Sequence, residues 1–436
     1  MTVANDENKK ISGLIRRYWI HFKNDSLFRN SFYILFSTAI ISVTGFLFWF
    51  LAARLYNSEQ VGVVGALISA CALIMSIGSL GINHAFIRYI PNSKNKQEII
   101  NSGTILVTIS TLLVTICYIL LLPIVSPKLN LITANLFFTI FFILLAVITS
   151  LNSLIDSIFI ASRTAHYNMT TYSVFGISKI ILLLFFVGFG ASGLFFSHTI
   201  GIALALIIGF FIIQKKLHLK LKFQYDQKII KKMFKFSGLI YLISLIGGIP
   251  NLVLPLVIIQ ILGASQAAYF YMAMMIATLI FAIPNSVTSA LFAEGSHDSE
   301  SIGIHFKKAA LLIIPSLFGV IIITMLLGHQ VLSVFGKDYA VNGYWPLVWL
   351  SVSSIFIGFN ALFSTILKIK KRLRGFLIIN FLGTLFIVIA SYFTIEHGLT
   401  NVALSWLGGQ AFMSICFYAG YLRDSFRQNK TSIISS

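Results

Sequence analysis

Twelve apolar runs, separated by short polar stretches, dominate the sequence from residue 31 to residue 421. Each run is about 20 residues or longer, and an α-helix of that length crosses the roughly 30 Å hydrocarbon core of a bilayer. Within lipid, every backbone polar group needs a partner in the protein, and a helix provides one for each. The runs cover 31–53, 61–86, 101–125, 133–158, 169–188, 194–214, 238–262, 266–291, 309–328, 345–367, 376–395 and 401–421. The sequence therefore predicts an all-α polytopic membrane protein with twelve transmembrane helices.

The composition excludes a water-soluble chain. Of the 436 residues, 57% are hydrophobic and 10% are charged, whereas soluble domains carry about 25% charged residues. The cysteines Cys71, Cys117 and Cys416 all lie in apolar runs, which favours neither a disulfide framework nor a metal site. About thirty mostly polar residues precede the first run, a pattern that is not typical of a cleavable signal peptide.

The basic residues predict the orientation of the chain in the membrane. Of the 32 Lys and Arg residues, 28 lie on one side of the predicted topology, against three on the other side, Arg54, Lys128 and Lys337. Basic loops stay on the cytoplasmic side, so we expect a multi-pass cell-membrane protein with both termini in the cytoplasm. The net charge of +19 then reflects topology and does not indicate binding to nucleic acid.

A weak internal repeat divides the chain into two halves. The segment ARLYNSEQVGVVGAL (53–67) aligns with IQILGASQAAYFYMA (259–273) at an offset of 206 residues. Each half then holds six spans, so the sequence predicts two six-helix bundles of the same orientation, related by a pseudo-twofold axis along the membrane normal. The predicted units are an N-terminal segment (1–30), a first bundle (31–214), a basic cytoplasmic linker (215–237), a second bundle (238–422) and a tail (423–436). The linker is either an amphipathic surface helix or a solvated connection.

Ionisable groups inside predicted spans are costly, and they usually face a cavity or a partner. Asp156 ends a polar stripe on the fourth run, TSLNSLID (149–156), which also presents Asn152. Lys179 lies about 10 residues, and hence about 15 Å, from either end of the fifth run. We expect Lys179 to face a water-filled lumen or to pair with Asp156, and Asp156 to be either functional or hydrated at the membrane interface.

Other polar residues mark a candidate pathway. The seventh run contains GGIPNLVLP (247–255), whose glycines and prolines bend a helix and free carbonyl groups near Asn251, a feature tolerated only against protein or a cavity. Asn360 lies on a polar face of the tenth run. In the alignment of the two halves, Glu294 occupies the position that corresponds to Arg88. Arg88 follows His84 by one helical turn. Arg88 is either a loading residue for an anionic ligand or an ordinary basic residue of a cytoplasmic loop.

The sequence has no nucleotide-binding loop, metal-ligand spacing or nucleophile motif, so we expect no catalysis, cofactor or metal. Pieces such as GQAFMSI (409–415) are typical of helix packing. A membrane-embedded glycan-processing enzyme is an alternative, but such enzymes typically carry a large external loop, and none occurs between the runs.

The segment LAARLYNSEQVGVVGALIS (51–69), followed by SLGINHAFIRYIP (79–91), resembles the start of the polysaccharide-exporting branch of the MATE-like flippase superfamily. That branch comprises the O-antigen, or lipid-linked oligosaccharide, flippases. In that family an A-R-L-x helix end, a short turn and a G-x-x-x-A-type helix lead to a basic R-Y-x-P-like segment. Asn57 stands near the place where the family frequently has a glycine.

The resemblance implies that the chain flips a polyprenyl-(pyro)phosphate-linked oligosaccharide to the outer leaflet, by alternating access through a cationic cavity. The expected partners are that lipid-linked glycan, membrane lipids, a polysaccharide polymerase and glycosyltransferases. Candidate substrate-binding residues are Arg88, Lys179, His84, Asn152, Asn251 and Asn360, and Asp156 and Glu294 are candidates for an ion pair or charge relay. The main alternative is a multidrug exporter of the same fold, coupled to H⁺ or Na⁺, whose lumen would be dominated by carboxylates.

Overall fold

The computed structural model describes residues 26–219, 225–297, 302–370 and 372–434, and these are almost wholly helical. The first half consists of α1 (Ser26–Leu55), α2 (Ser58–Gly78), α3 (Ile82–Tyr89), α4 (Lys96–Val125), α5 (Leu136–Ala161), α6 (His166–Phe185) and α7 (Gly190–Lys215). The second half consists of α8 (Gln227–Ile261), α9 (Ala264–His297), α10 (Ile302–Ser333), α11 (Lys337–Ile369), α12 (Leu373–Thr394) and α13 (Leu399–Ile434).

Twelve of these helices, all except the short α3, are long and apolar enough to cross a membrane. They coincide with the twelve predicted spans, which confirms the all-α polytopic fold. The described part of the chain has no β-strand. Several helices extend past their apolar runs; α13, for example, continues to Ile434 through most of the predicted tail.

The predicted second span, 61–86, is wrong in one respect, because the helix breaks inside it. Leu80 and Gly81 have φ angles of 49° and 74°, a left-handed conformation that ends α2 and starts α3 in a new direction. Gly81 is also required sterically, since a Cβ atom there would lie 2.6 Å from Cβ of Tyr241. The hydroxyl of Tyr241 donates to the carbonyl of Ile77 at 2.9 Å, which caps the end of α2.

An even number of spans brings the first and last described residues to the same side of the bundle. We call this side, which carries Arg88, Lys94, Lys215, Lys307 and Lys368, the basic end, and the other side, which carries Arg54, Lys128 and Lys337, the opposite end. Glu294 is also at the basic end, exposed near the end of α9.

The internal repeat is reproduced in the helix boundaries. The helix α1 ends at Leu55 and α8 at Ile261, while α2 begins at Ser58 and α9 at Ala264. Both pairs are 206 residues apart, the offset of the sequence repeat. The corresponding turns differ in chemistry, because Asn57 caps α2 through its side chain with Gln60, whereas Gly263 turns with a φ of 97°.

The two halves meet where these equivalent helices start. A Cβ atom on Gly62 would lie 1.8 Å from the carbonyl oxygen of Ala264, so only glycine permits this approach of α2 to α9. The hydroxyls of Ser58 and Ser265 hydrogen bond at 3.1 Å. This junction therefore joins symmetry-equivalent segments of the two halves.

Two further contacts at the opposite end cross between the halves. Arg54 donates from Nε to the carbonyl of Val334 at 2.6 Å, and the backbone N–H of Lys128 donates to Oε1 of Gln260 at 3.2 Å. Arg54 and Gln260 are equivalent at the 206-residue offset, and so are Lys128 and Val334. The repeat thus places a polar link at the same point of each half, with different side chains.

The helix α8 belongs to both halves. Ile230 and Met233, near its start, are buried in a core cluster with Ile82 and Phe86 of the first half. Further along, the carbonyl of Ile246 accepts a hydrogen bond from Thr384 of α12 at 3.0 Å. The predicted linker (215–237) is thus partly the start of a transmembrane helix, while 220–224 lie outside the described residues, as do 1–25 of the N-terminal segment.

Candidate functional site

A polar cavity lies inside the helices of the second half. It has a volume of about 310 Å³, and its lining comes from α8, α9, α11, α12 and α13. Five carboxamide side chains line it: Asn251, Asn285, Asn360, Asn380 and Gln410. We call it the amide cavity. The structure therefore brings together two of the predicted substrate-binding residues, Asn251 and Asn360.

The bend predicted in the seventh span positions one wall of the amide cavity. Gly247, Pro250 and Asn251 of α8 all line it. Proline removes a backbone donor and disrupts the hydrogen-bonding pattern one turn earlier, and such a disruption is tolerated where it lines a cavity. The helix continues through Pro250 and Pro255 to Ile261, so these residues bend or weaken the helix without ending it.

Asn360 is held rigidly in the amide cavity. Its Nδ2 donates to the carbonyl and to Oε1 of Gln410, both at 3.0 Å, and its Oδ1 accepts from Ser414 at 2.8 Å. The sequence interpretation of GQAFMSI as helix packing missed Gln410. Because such carboxamides occur singly on different helices, no local pattern in the sequence shows that they converge.

Lys179 lies apart from the amide cavity, in the first half. It is 4% exposed, and its Nζ lies 4.3 Å from the ring centroid of Phe175 and 5.0 Å from that of Phe48. The face of an aromatic ring attracts a cation, so these two rings stabilise the ammonium group. His198 packs against both phenylalanines, and its buried Nδ1 has no hydrogen-bond partner.

The predicted pairing of Lys179 with Asp156 is wrong. Asp156 instead accepts a hydrogen bond from the hydroxyl of Tyr172, with Oδ2 at 2.9 Å from Oη. The ammonium group of Lys179 instead contacts the two aromatic rings. Lys179 and Asp156 therefore lie at separate places within the first half, each with partners of its own.

Asn152 is occupied within the first half. Its Nδ2 donates to the carbonyl of Ile202 on α7 at 2.9 Å, and the side chain is 9% exposed. Ser153, beside it, accepts a hydrogen bond from Asn83 of α3 at 3.2 Å. The polar stripe of α5 thus contacts neighbouring helices, and the role of Asn152 in substrate binding stays a prediction.

Arg88 lines a second cavity, at the basic end, with a volume of about 830 Å³. Its polar lining comes from the segment after α3 and from the start of α8, and it includes Lys94, Asn95, Glu98 and Asp226. We call it the basic-end cavity. Both carboxylates have structural partners: Glu98 accepts from Asn95 at 3.1 Å, and Asp226 caps α8 through the N–H of Lys228 at 2.7 Å.

His84 lies on α3, one turn before Arg88, and is partly buried. Burial lowers the pKa of His84 below its ordinary value of 6.5, so the imidazole is neutral at pH 7 and acts as a polar group without charge. Glu294 lines neither of the two cavities. Arg88 and Glu294 thus correspond in sequence position, at the offset of the repeat. Substrate binding by Arg88 and an ion pair or charge relay through Glu294 both stay predictions. Among the described residues, no group of His, Cys, Asp and Glu side chains could hold a metal ion.

The arrangement of helices is shared with solved membrane transporters. The chain is similar to an inward-facing multidrug resistance MATE family transporter of the MOP superfamily, at 19% identity over 93% of this chain and 96% of that chain, with a TM-score of 0.64. It is similar to the lipid II flippase MurJ in an inward closed conformation, at 17% identity over 90% and 87%, with a TM-score of 0.71. A MOP superfamily transporter from Pyrococcus furiosus also matches, at 16% identity over 92% and 95%, with a TM-score of 0.62.

These likenesses define the fold as that of the MATE and MurJ transporters. The sequence model of the polysaccharide biosynthesis protein family matches residues 27–292, more than half of the chain, and the chain belongs to that family. No curated protein matches the chain closely enough to serve as a relative. The chain is a multi-pass membrane protein of the polysaccharide biosynthesis family, and it has the fold of these solved transporters.

Proposed function

We propose that the chain flips a polyprenyl-(pyro)phosphate-linked oligosaccharide from the cytoplasmic to the outer leaflet of the cell membrane, for the synthesis of O-antigen, capsule or exopolysaccharide. Membership of the polysaccharide biosynthesis family supports the glycan. The fold shared with a lipid II flippase supports a lipid-linked substrate. The basic end faces the cytoplasm in this proposal, as the distribution of Lys and Arg predicts.

The observation that carries the proposal is the environment of Lys179. This cation is buried against Phe48 and Phe175, and no carboxylate of the described residues pairs with it. An unpaired charge in a medium of low dielectric constant acts over a longer distance than in water. Lys179 therefore attracts a phosphate that enters the protein and repels a cationic drug, which favours the flippase over the multidrug exporter.

The basic-end cavity is the proposed loading site. Arg88 and Lys94 line it, and a guanidinium group matches the oxygens of a phosphate with paired hydrogen bonds. A pyrophosphate with two negative charges gains about 4–5 kcal/mol per 100 mV when it leaves a cell that is negative inside. The membrane potential therefore drives the head group outward without a nucleotide. A glycosyltransferase that supplies the lipid-linked unit and a polymerase that consumes it are the proposed partners.

A reconstituted transport assay tests this function. The purified chain is inserted into vesicles with a fluorescent polyprenyl diphosphate glycan, and an impermeant reductant then bleaches the outer leaflet. We expect label from the inner leaflet to become accessible faster than in vesicles without protein, and Arg88→Gln with Lys94→Gln to slow it. Transport of cationic dyes with no lipid movement would establish the exporter, and conversion of the glycan without movement would establish the enzyme.

A further inference from the structure

The amide cavity contains three polar groups without a protein partner. Asn251 and Asn285 line the cavity with exposed side chains, and neither side chain makes a hydrogen bond to another described residue. Trp406 is 3% exposed and lines the cavity, yet its Nε1 donor is also unpaired. A buried N–H without a partner costs about 1–3 kcal/mol, and a ligand or water that accepts from Trp406 would offset this cost. The exposed amides of Asn251 and Asn285 are open to the same ligand.

The unpaired groups stand on a fixed framework. Asn360 and Gln410 are hydrogen bonded to each other, and Asn380 donates to the carbonyl of Phe376 at 3.0 Å. A carboxamide offers both donors and acceptors, which is the combination that a ligand with many hydroxyl groups requires. The free amides of Asn251 and Asn285 can therefore bind hydroxyls while their neighbours keep the cavity in shape.

Aromatic rings form part of the apolar wall. The rings of Phe281 and Trp406 both line the cavity and are nearly parallel, with an interplanar angle of 5° and a centroid distance of 6.3 Å. The negative face of an aromatic ring attracts the positive edge of a neighbouring group, and the C–H face of a sugar ring is such a group. Amide groups can bind the hydroxyls of a pyranose, and aromatic ring faces can bind its C–H groups. The lining is therefore complementary to a pyranose.

The charge of the cavity agrees with this ligand. Lys368 is the one charged side chain among the lining residues described, and its Nζ lies 5.0 Å from the ring centroid of Phe376. The other polar side chains of the lining, which are Asn, Gln, Ser, Thr and Trp residues, are neutral. Beyond Lys368 the cavity therefore offers uncharged hydrogen-bonding groups, which suit an uncharged polar ligand and disfavour a metal ion.

We propose that the amide cavity binds one uncharged sugar residue of the glycan during transport, through Asn251, Asn285 and Trp406. This inference rests on the proposed function and adds to it the group that is recognised. The volume of about 310 Å³ lies at the lower limit of about 300–1,000 Å³ for ligand pockets. The cavity thus holds a single sugar residue.

The test compares two lipids in the same vesicles. One is a polyprenyl diphosphate that carries a single N-acetylhexosamine, and the other is the same polyprenyl diphosphate without sugar. The variants are Trp406→Phe, which removes the Nε1 donor and keeps a ring, and Asn285→Leu, which removes the amide and keeps the size. Asn342→Leu is the control, because Asn342 is exposed at the opposite end and donates only to the carbonyl of Asp338.

We expect each variant to slow transport of the sugar lipid about five- to tenfold, the effect of one lost hydrogen bond. Transport of the bare lipid should keep its rate in both variants, and the control variant should transport both lipids at the wild-type rate. An unchanged rate for the sugar lipid in both variants would overturn the inference, and so would an equal slowing of both lipids. If the wild-type chain moves neither lipid, the proposed function itself fails. Two variants are used because either one alone could fail to insert, which gel filtration in detergent detects.

Discussion

Asn152 in the first half and Asn360 in the second half make the same hydrogen bond. Asn152 donates to the carbonyl of Ile202 at 2.9 Å, and Asn360 donates to the carbonyl of Gln410 at 3.0 Å. In each half the amide joins the fourth span to the sixth, 50 residues further along the chain. The pseudo-twofold relation therefore extends to polar contacts inside the membrane, but Asn360 alone of the two lines the amide cavity.

Replacing each asparagine by leucine separates a role in stability from a role in transport. We expect both Asn152→Leu and Asn360→Leu to lower the free energy of unfolding, by about 1–3 kcal/mol, because a buried carbonyl loses its donor. Thermal unfolding in detergent measures this loss. Only Asn360→Leu should also slow transport of the sugar lipid, and an equal loss of transport in Asn152→Leu would show that the amide cavity has no special role.

Lys179→Met should stabilise the folded chain and impair its transport activity. The substitution keeps the length of the side chain and removes a buried charge that no carboxylate offsets, so we expect a melting temperature a few degrees higher. We also expect lipid transport to fall at least about tenfold, equivalent to about 1.4 kcal/mol in the barrier. Lys337→Met, at an exposed lysine of the opposite end, is the matched control. Full transport in Lys179→Met would contradict the role of this cation.

Gly62→Ala should destabilise the junction of the two halves. The added methyl group would lie 1.8 Å from the carbonyl oxygen of Ala264, and two helix backbones have to move apart to remove that contact. We expect a lower melting temperature and weaker protection of this region in hydrogen exchange. Gly45→Ala is the control, since its Cβ would meet no atom within 4 Å and alanine favours a helix. Equal effects of the two variants would refute the close approach.

A disulfide across the same junction should stop transport reversibly. The hydroxyl oxygens of Ser58 and Ser265 are 3.1 Å apart, so Ser58→Cys with Ser265→Cys should oxidise readily, since an S–S bond is about 2.0 Å long. The natural Cys71, Cys117 and Cys416 are replaced by alanine first. If the halves separate here during alternating access, oxidation blocks lipid transport and a reductant restores it. Undiminished transport by the oxidised protein would show that this end stays closed throughout the cycle.

The protonation of His84 makes the stability of the chain depend on pH. Burial lowers the pKa of His84 in the folded state below its ordinary value of 6.5, so the unfolded chain binds the proton more readily. Stability is therefore complete above that value and falls as the pH drops below it. We expect the melting temperature to fall less between about pH 7.5 and about pH 5.5 in His84→Gln than in the natural chain. An identical fall in both would assign the pH dependence to other groups.

The sequence predicted the parts of the fold that depend on local chemistry. Apolar runs specify transmembrane helices because lipid demands them, and the turns at Asn57 and Gly263 carry the repeat in their own residues. The break at Leu80 and Gly81 was missed because the close packing of Tyr241 against Gly81 joins residues that are far apart in the sequence. An apolar stretch that continues past a bend gives no sign of the bend.

The candidate site was predictable only in part, for the same reason. Asn251 and Asn360 were named as candidates because a single polar residue within an apolar run can be recognised from the sequence alone. Their convergence with Gln410 and Trp406 depends on how the helices pack. The sequence marked Lys179 as an unusual charge, but it could not show that aromatic rings from two different helices contact it.

The shared helix α8 has a consequence for how such a chain is assembled. Ile230 and Met233 complete a core of the first half, although the repeat assigns their helix to the second. A first half produced alone would leave apolar side chains around Phe86 uncovered, inviting aggregation. The unit that the sequence repeats is therefore not the unit that can fold by itself, and the first half reaches its final structure only after the start of α8 has been synthesised.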